Sequence, residues 1–401
     1  GQFCEFCNPG SRPQSRSLDG CECWQVRRSF SNLATKAVTR LTIRRATKKG
    51  CARMNIVVDA EKEVLERYAE ASTRFEPELC CAVQYDPKFL AAIPEEVIEK
   101  DYGCGDPSQF IREGDVVLDL GSGTGKICFI AAQIVGPNGH VIGVDFNPAM
   151  LELARRHQPT VAANIGHENV TFKYGKIQDL KNDYDLLYEW VNGHPVTDAA
   201  TLAAFESRRT ELARTNPLIG DTTIDVIVSN CVLNLVRADD KPSLFAEMFR
   251  VLKPGGRIAI SDIVSDQIVP EPLRNDPDLW SGCISGAFQE TKFMSAFKAE
   301  GVFDIAERDA EPWRVVEGIE FRSVTVTAWK PRAAKTDDGQ HEVIYRGPWR
   351  SVTDETGLRL DRGEAVPVSL AAYQRLTDAP YAGQIIAKDG GVKENKAKSC
   401  C

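Results

Sequence analysis

The stretch VVLDLGSGTGK, residues 116–126, decides the fold. Its first five residues read as a strand buried on both faces, and the three glycines that follow, Gly121, Gly123 and Gly125, let the backbone turn sharply and approach a ligand closely, because none carries a Cβ. The helical run TGKICFIAAQIV opens at once from that turn. Working outward, HVIGVD (140–145), VTFKYG (170–175), IDVIVS (224–229) and GRIAISDI (256–263) read as further strands, while PAMLELARRHQ (148–158) and KPSLFAEMFRVL (241–252) read as helices. Strands alternating with helices predict an α/β fold, a doubly wound and mostly parallel sheet covered on both faces. PGG at 254–256 is expected to end a helix and feed the next strand directly. The alternation in FRSVTVTAWK (321–330) predicts an antiparallel strand closing the sheet edge.

Around this core the chain divides by composition. Residues 1–53 carry 11 Lys and Arg against three acids, a net of +8, while the remainder carries 38 against 54, a net of −16. An acidic body excludes a nucleic-acid footprint, and no apolar stretch reaches the length a membrane span needs. The basic extension reads either as a transit-peptide-like segment or as a disordered one, with the folded part expected from Met54. Residues 54–110 form an N-terminal helical and cysteine-bearing segment, with a helix over VDAEKEVLERYAEAS (58–72). The main domain is expected over 111–330, a linker over 331–341, a small module over 342–388 and a disordered, cysteine-ending tail over 389–401. Within the main domain, residues 181–223 form an insertion that includes a helix DAATLAAFESRRTELAR; connections this long tend to be lids or added surface elements. With no secretory signal, a cytoplasmic location is expected.

The glycine loop argues against a dinucleotide. Its spacing is G-x-G-x-G, Lys126 stands where a third fingerprint glycine would be, and Asp119 at the strand end would repel a diphosphate. The same carboxylate can pair with an amino group. Both facts favour S-adenosylmethionine, which carries an ammonium and no phosphate. Asp145, 26 residues past Asp119, then suits the ribose hydroxyls. Ser122 and Phe146 accompany those two acids, Ile177 and Gln178 in GKIQDL fall where the adenine would rest, and Asn230 falls at the methionine end.

Thirteen cysteines in a long chain without a secretory signal point to soft-ion or redox chemistry rather than a disulfide framework. Cys104 (DYGCGDP), Cys231 (SNCVLNL) and Cys283 (WSGCISGAF) each sit beside Gly or at a strand end, in segments that should meet over the carboxyl edge of the sheet. Three thiolates are a ligand set for a thiophilic centre. Cys128 on the first helix reads as core packing. Cys4, Cys7, Cys21 and Cys23 have a spacing that could bind zinc, without a strand or helix pattern around it. Cys400 and Cys401 end the chain.

Taken together, DYGCGDP, VVLDLGSGTGK, VSNCVLNLV, RVLKPGGRIAISDI and PEPLRNDPDLWSGCISGAF resemble the arsenite S-adenosylmethionine methyltransferase family, over about residues 60–330 and more loosely over 342–388. The resemblance implies a class I methyltransferase with a seven-stranded sheet. It implies that trivalent arsenic is held by Cys104, Cys231 and Cys283, its lone pair attacking the methyl carbon. It also implies a disulfide between Cys104 and an N-terminal cysteine during turnover, for which Cys80 and Cys81 both fit. Arsenite or a methylated arsenical would arrive as a thiol conjugate, with glutathione or a thioredoxin-type protein as reductant. The insertion departs from the family; Tyr188, Trp190 and His194 within it could close over a larger organic substrate. Two other readings stay open: a small-molecule C- or O-methyltransferase of the quinone-biosynthesis type, and a metalloid-binding protein without turnover. Whether the chain is a monomer or a dimer is not legible in the sequence.

Overall fold

The computed structural model describes residues 60–73, 83, 85–274, 276, 279, 283–299, 303–331, 341–354, 357–377, 381 and 383–389, together with two short strands at 24–26 and 43–45. Contacts divide the chain into two units, Gly1–Val57 and Val58–Cys401. In the first unit β1 (Trp24–Val26) pairs antiparallel with β2 (Ile43–Arg45).

The second unit opens with α1 (Ala60–Thr73), α2 (Pro87–Leu90) and α3 (Glu95–Glu99). Then come β3 (Val116–Leu120), α4 (Lys126–Val135), β4 (His140–Asp145), α5 (Pro148–Ile165) and β5 (Val170–Tyr174). The insertion folds as α6 (Tyr184–Gly193) and α7 (Ala199–Thr215), and the sheet resumes with β6 (Ile224–Asn230), α8 (Lys241–Val251) and β7 (Leu252–Ser265). After α9 (Glu271–Arg274) follow β8 (Phe288–Gln289), α10 (Glu290–Ala299), β9 (Phe303–Val316) and β10 (Ile319–Trp329).

Seven strands run in the order β5-β4-β3-β6-β7-β10-β9, and the two-residue β8 pairs with β7 off that path. Strands β3 to β7 are mutually parallel, as the alternating pattern predicts. Side-chain alternation splits the core into two faces. Val117, Val226 and Val228 pack with Ile127, Phe129 and Leu151 from α4 and α5, whereas Leu118, Leu120, Ile227 and Ile260 pack with Leu244, Met248 and Phe297 from α8 and α10. Each such side chain contributes about 1.5–3 kcal/mol by leaving water.

Two expectations are corrected. β10 is antiparallel to β7 but does not close the sheet, because β9 lies outside it. That edge strand is acidic and contains Pro312, which an edge tolerates because its outer N–H groups need no partner. The helix before PGG ends at Val251, and Leu252 already belongs to β7, so the Pro-Gly-Gly lies inside the strand.

The C-terminal module holds β11 (His341–Tyr345), β12 (Ser351–Thr353), β13 (Arg359–Asp361), β14 (Ala365–Val368), α11 (Leu370–Thr377) and β15 (Ile385–Asp389). A three-stranded sheet of order β14-β11-β15 buries Val343, Tyr345, Leu376 and Ile385 in a core of its own. Among the described residues no helix is long and apolar enough to cross a membrane.

Candidate active site

The glycine turn after β3 builds the floor of a cleft. Gly121 has φ +75°, and a Cβ there would meet the Val232 side chain at 2.4 Å, so this position excludes any larger residue. The Gly123 N–H donates to one oxygen of Asp145 at 2.7 Å, and the Asn147 N–H donates to the other at 2.7 Å, which fixes that carboxylate at the end of β4. Asp119, Gly121, Ser122, Gly123, Asp145, Phe146, Ile177, Gln178 and Asn230 line this one cleft. Gly125 does not line it; it caps α4 with φ +89°.

The cleft buries two acidic side chains, Asp119 and Asp145. Burial pushes the Asp119 carboxyl up to about 7, against a hydrogen bond that the Cys128 thiol donates to it at 3.2 Å, with the charges of Asp101 and Asp145 pushing the same way as burial. Asp145 is raised by burial as well. Cys128 is thus both fully buried core and a partner of Asp119. Lys126, the residue in the fingerprint position, does not line the cleft but pairs at 2.5 Å with Asp101, which does. The Ser122 hydroxyl is buried with no hydrogen-bond partner among the described residues. An orphaned hydroxyl beside Asp119 and Asp145, which form no ion pair among the described residues, suits a ligand carrying hydroxyls and an ammonium, and opposes a diphosphate. S-adenosylmethionine fits that donor set.

α1 roofs this cleft, a placement that its amphipathic spacing did not reveal. Glu61, Val64, Leu65 and Tyr68 face the ligand space. Glu61 pairs with Lys176 at 2.7 Å, Asn147 donates to the Leu65 carbonyl at 3.0 Å, and Tyr102 donates to the Ala71 carbonyl at 3.1 Å.

At one end of the cleft the sulfurs gather. Cys231 directly follows β6, and its N–H donates to the Ser261 carbonyl at 2.8 Å. The Asn230 side chain holds the DYGCG loop beside it, accepting from the N–H groups of Cys104 at 2.8 Å and Gly105 at 3.1 Å and donating to the Gly105 carbonyl at 2.7 Å and the Tyr85 hydroxyl at 3.0 Å. Asn230 therefore reaches the cleft wall, but its polar atoms are committed to the cysteine loop. Cys104 and Cys231 are joined as a disulfide with Cα atoms 5.8 Å apart. The Cys283 thiol donates to the Cys231 carbonyl at 3.3 Å. The sulfurs of Cys231 and Cys283 and a carboxylate oxygen of Asp262 all lie within 4.8 Å of one another.

Both Cys231, with φ +59°, and Cys283, with φ +62°, adopt the left-handed region that non-glycine residues avoid. Such conformations cost about 1–3 kcal/mol each and cluster at functional sites. The three cysteines share an apolar surround that includes Ile263, Val269, Leu273 and Ile284. Cys80, Cys81 and the cysteines at 4, 7, 21, 23, 400 and 401 lie outside the described residues. Here the partner of Cys104 is Cys231. Sequence reasoning passed over Asp262, Asn234 and Lys241, which are buried beneath the sulfurs and carry ordinary residue types in ordinary positions.

The insertion meets the cleft differently from expectation. Tyr188, Trp190 and His194 do not line it; Trp190 stacks on His194 with centroids 4.5 Å apart and packs near Phe205 of α7. Instead Tyr184 packs edge-on to the cleft residue Phe146 at 6.1 Å, and Tyr174 stacks with Phe146 at 6.1 Å and with Tyr188 at 5.8 Å.

A family model for a methyltransferase domain matches residues 111–301, and a model for a domain of unknown function matches residues 332–401. An arsenite methyltransferase of Aquipseudomonas alcaligenes is 31% identical over 322 residues, 76% of this chain and 82% of that protein. An arsenite methyltransferase of Rattus norvegicus is 28% identical over 316 residues, 75% of this chain and 75% of that protein. Among solved structures, the X-ray crystal structure of an arsenic(III) S-adenosylmethionine methyltransferase from Chlamydomonas reinhardtii matches with a TM-score of 0.51 and 26% identity, covering 75% of this chain and 94% of that one.

Proposed function

The chain belongs to the arsenite methyltransferase family of S-adenosylmethionine-dependent enzymes, and from that premise we propose that it methylates trivalent arsenic held by the thiolates of Cys104, Cys231 and Cys283, as a step in arsenic detoxification. The observation that carries the reading is the convergence of the three cysteine segments, separated widely in sequence, at one end of the cofactor cleft.

When bound, S-adenosylmethionine supplies a methyl group on a sulfonium, an electrophile that needs no acid or base help from the protein. Asp119 takes the cofactor's ammonium, Asp145 takes ribose hydroxyls, and Ser122 gains the partner it lacks. Ile177, Gln178 and Phe146 flank the adenine. α1, through Tyr68 and Leu65, excludes water from the transfer path.

In the reduced protein each thiol displaces one hydroxide of arsenite, its proton leaving with that hydroxide as water, and three As–S bonds form. The arsenic lone pair points away from the three sulfurs. As the As–C bond forms, the methyl's bond to the cofactor sulfur breaks, and positive charge passes to arsenic. Alignment within a dry site accounts for the rate. Two of the sulfurs can then leave joined as a disulfide, returning two electrons to arsenic, while an incoming thiol takes their place. The Cys104–Cys231 disulfide is the product such a step would leave. A thiol reductant, glutathione or a thioredoxin-type protein, supplies the two electrons that reopen it. Either Cys80 or Cys81 could exchange with Cys104 at another stage.

Incubating the protein with methyl-labelled cofactor, glutathione and arsenite, and identifying products by mass, tests the reading. Labelled methylarsenicals and an equal yield of S-adenosylhomocysteine are expected, both lost in Cys231→Ser and Cys283→Ser. Turnover that survives both substitutions would favour a quinone-type methyltransferase with another acceptor. Arsenic bound without S-adenosylhomocysteine would favour sequestration.

A further inference from the structure

Beneath the sulfurs a buried polar cluster joins the two loops that carry Cys231 and Cys283. Asp262, on β7 and 1% exposed, accepts four hydrogen bonds. Two come from the backbone N–H groups of Leu233 at 2.9 Å and Asn234 at 3.3 Å, which belong to the turn that begins at Cys231. The others come from its neighbour Ile263 at 2.8 Å and from the Asn234 side-chain amide at 2.8 Å. That same amide donates to the Ile263 carbonyl at 2.6 Å and reaches the Cys283 carbonyl at 3.4 Å. Three residues on, the carbonyl of Gly286 accepts from the Lys241 ammonium at 2.6 Å, and the ammonium rests over the Phe288 ring at 3.8 Å. The two loops touch so closely that a Cβ on Gly286 would lie 1.9 Å from the Asn234 carbonyl oxygen.

A buried carboxylate and ammonium are a costly way to stabilise a core, since apolar residues of the same volume serve stability as well or better. What they supply is fixed geometry. Both cysteines sit in the left-handed region, a conformation the backbone abandons unless its surroundings hold it. Burial raises the Asp262 carboxyl and lowers the Lys241 ammonium, and the charge of each favours the other's ionised form.

We propose that Asp262, Asn234 and Lys241 are positioning residues: they lock the Cys231 turn and the Cys283 loop against each other and so set the distance between two sulfurs to one that a single arsenic atom can bridge. The proposal rests on the arsenic reading above. It assigns these residues no contact with the cofactor, whose cleft walls contain none of them.

Full-length Asn234→Ala and Lys241→Met test this. Met fills the lysine's volume without its charge, so it keeps the test open if the alanine variant fails to fold. For each variant the reduced protein is titrated with arsenite by near-ultraviolet absorbance, cofactor affinity is measured separately, and KM and kcat are determined for both substrates. The expected result is an arsenite affinity weaker by about tenfold or more and a matching rise in arsenite KM, with cofactor affinity within about twofold of wild type. A merely structural role would move both affinities together, and that result would overturn the proposal. So would an unchanged arsenite affinity in a folded variant, which leaves the arsenic reading standing. Wild-type protein that binds no arsenite would sink both.

Discussion

The side-chain oxygen of Asn230 accepts the backbone N–H of Cys104 at 2.8 Å, across 126 residues of sequence. One amide on the last residue of β6 thereby places the first sulfur against the second, which follows it immediately in the chain. Asn230→Ala leaves the N–H groups of Cys104 and Gly105 without their acceptor. We expect a loss of about 1–3 kcal/mol in stability, read from denaturant midpoints. Arsenite turnover should fall by more than about tenfold while cofactor affinity changes by less than about threefold. An equal loss in both would return Asn230 to the cofactor.

Asp119 predicts how cofactor binding depends on pH. Its carboxyl is raised by burial to about 7. Only the ionised form can pair with an ammonium, so binding releases a proton whenever Asp119 starts protonated. Cofactor affinity should therefore rise with pH up to about 7 and level off above it, with a slope of at most about tenfold per pH unit. Asp119→Asn should flatten the slope and weaken binding above pH 7. Calorimetric titration across that range checks both, and a slope retained in the variant would assign the proton elsewhere.

The left-handed backbone at Cys283 separates stability from function. Glycine adopts φ near +62° freely, whereas alanine does not. Cys283→Gly should be more stable than Cys283→Ala by about 1–2 kcal/mol in thermal or denaturant unfolding, with both inactive toward arsenite. Equal stabilities would mean the conformation carries no strain.

Tyr184 ties the insertion to the cofactor. Its ring packs 6.1 Å from Phe146 on the cleft wall. Aromatic pairs of this kind contribute about 0.5–1.5 kcal/mol, so Tyr184→Ala should raise the cofactor KM by about two- to tenfold and leave kcat and the arsenite KM near wild type. An unchanged cofactor KM would make α6 surface decoration alone.

Much of this was legible in the chain because its signals are local. The β-branched runs of β3, β4, β5 and β6 and the glycine turn between β3 and α4 specify a parallel sheet and its ligand edge within a few residues each. β9 was harder to read, since an edge strand carrying Glu311, Pro312 and Arg314 lacks the alternation of a half-buried strand. The cysteine site was readable as three motifs but not as a geometry. Asp262, Asn234 and Lys241 act through hydrogen bonds between residues 28 to 49 apart. No periodicity marks such contacts; only the folded loops bring them together. Asn230 illustrates the limit: the expectation put it at the cofactor's methionine end, and the structure has it lining the cleft with its side chain bonded to the sulfur loop.

Arsenic K-edge X-ray absorption on the reduced protein with one equivalent of arsenite tests the three-sulfur site most directly. The account predicts three sulfur neighbours and no oxygen in wild type, and two sulfurs with one oxygen in Cys283→Ser. Arsenic bound through oxygen in wild type, or a three-sulfur spectrum that persists in Cys283→Ser, would contradict it.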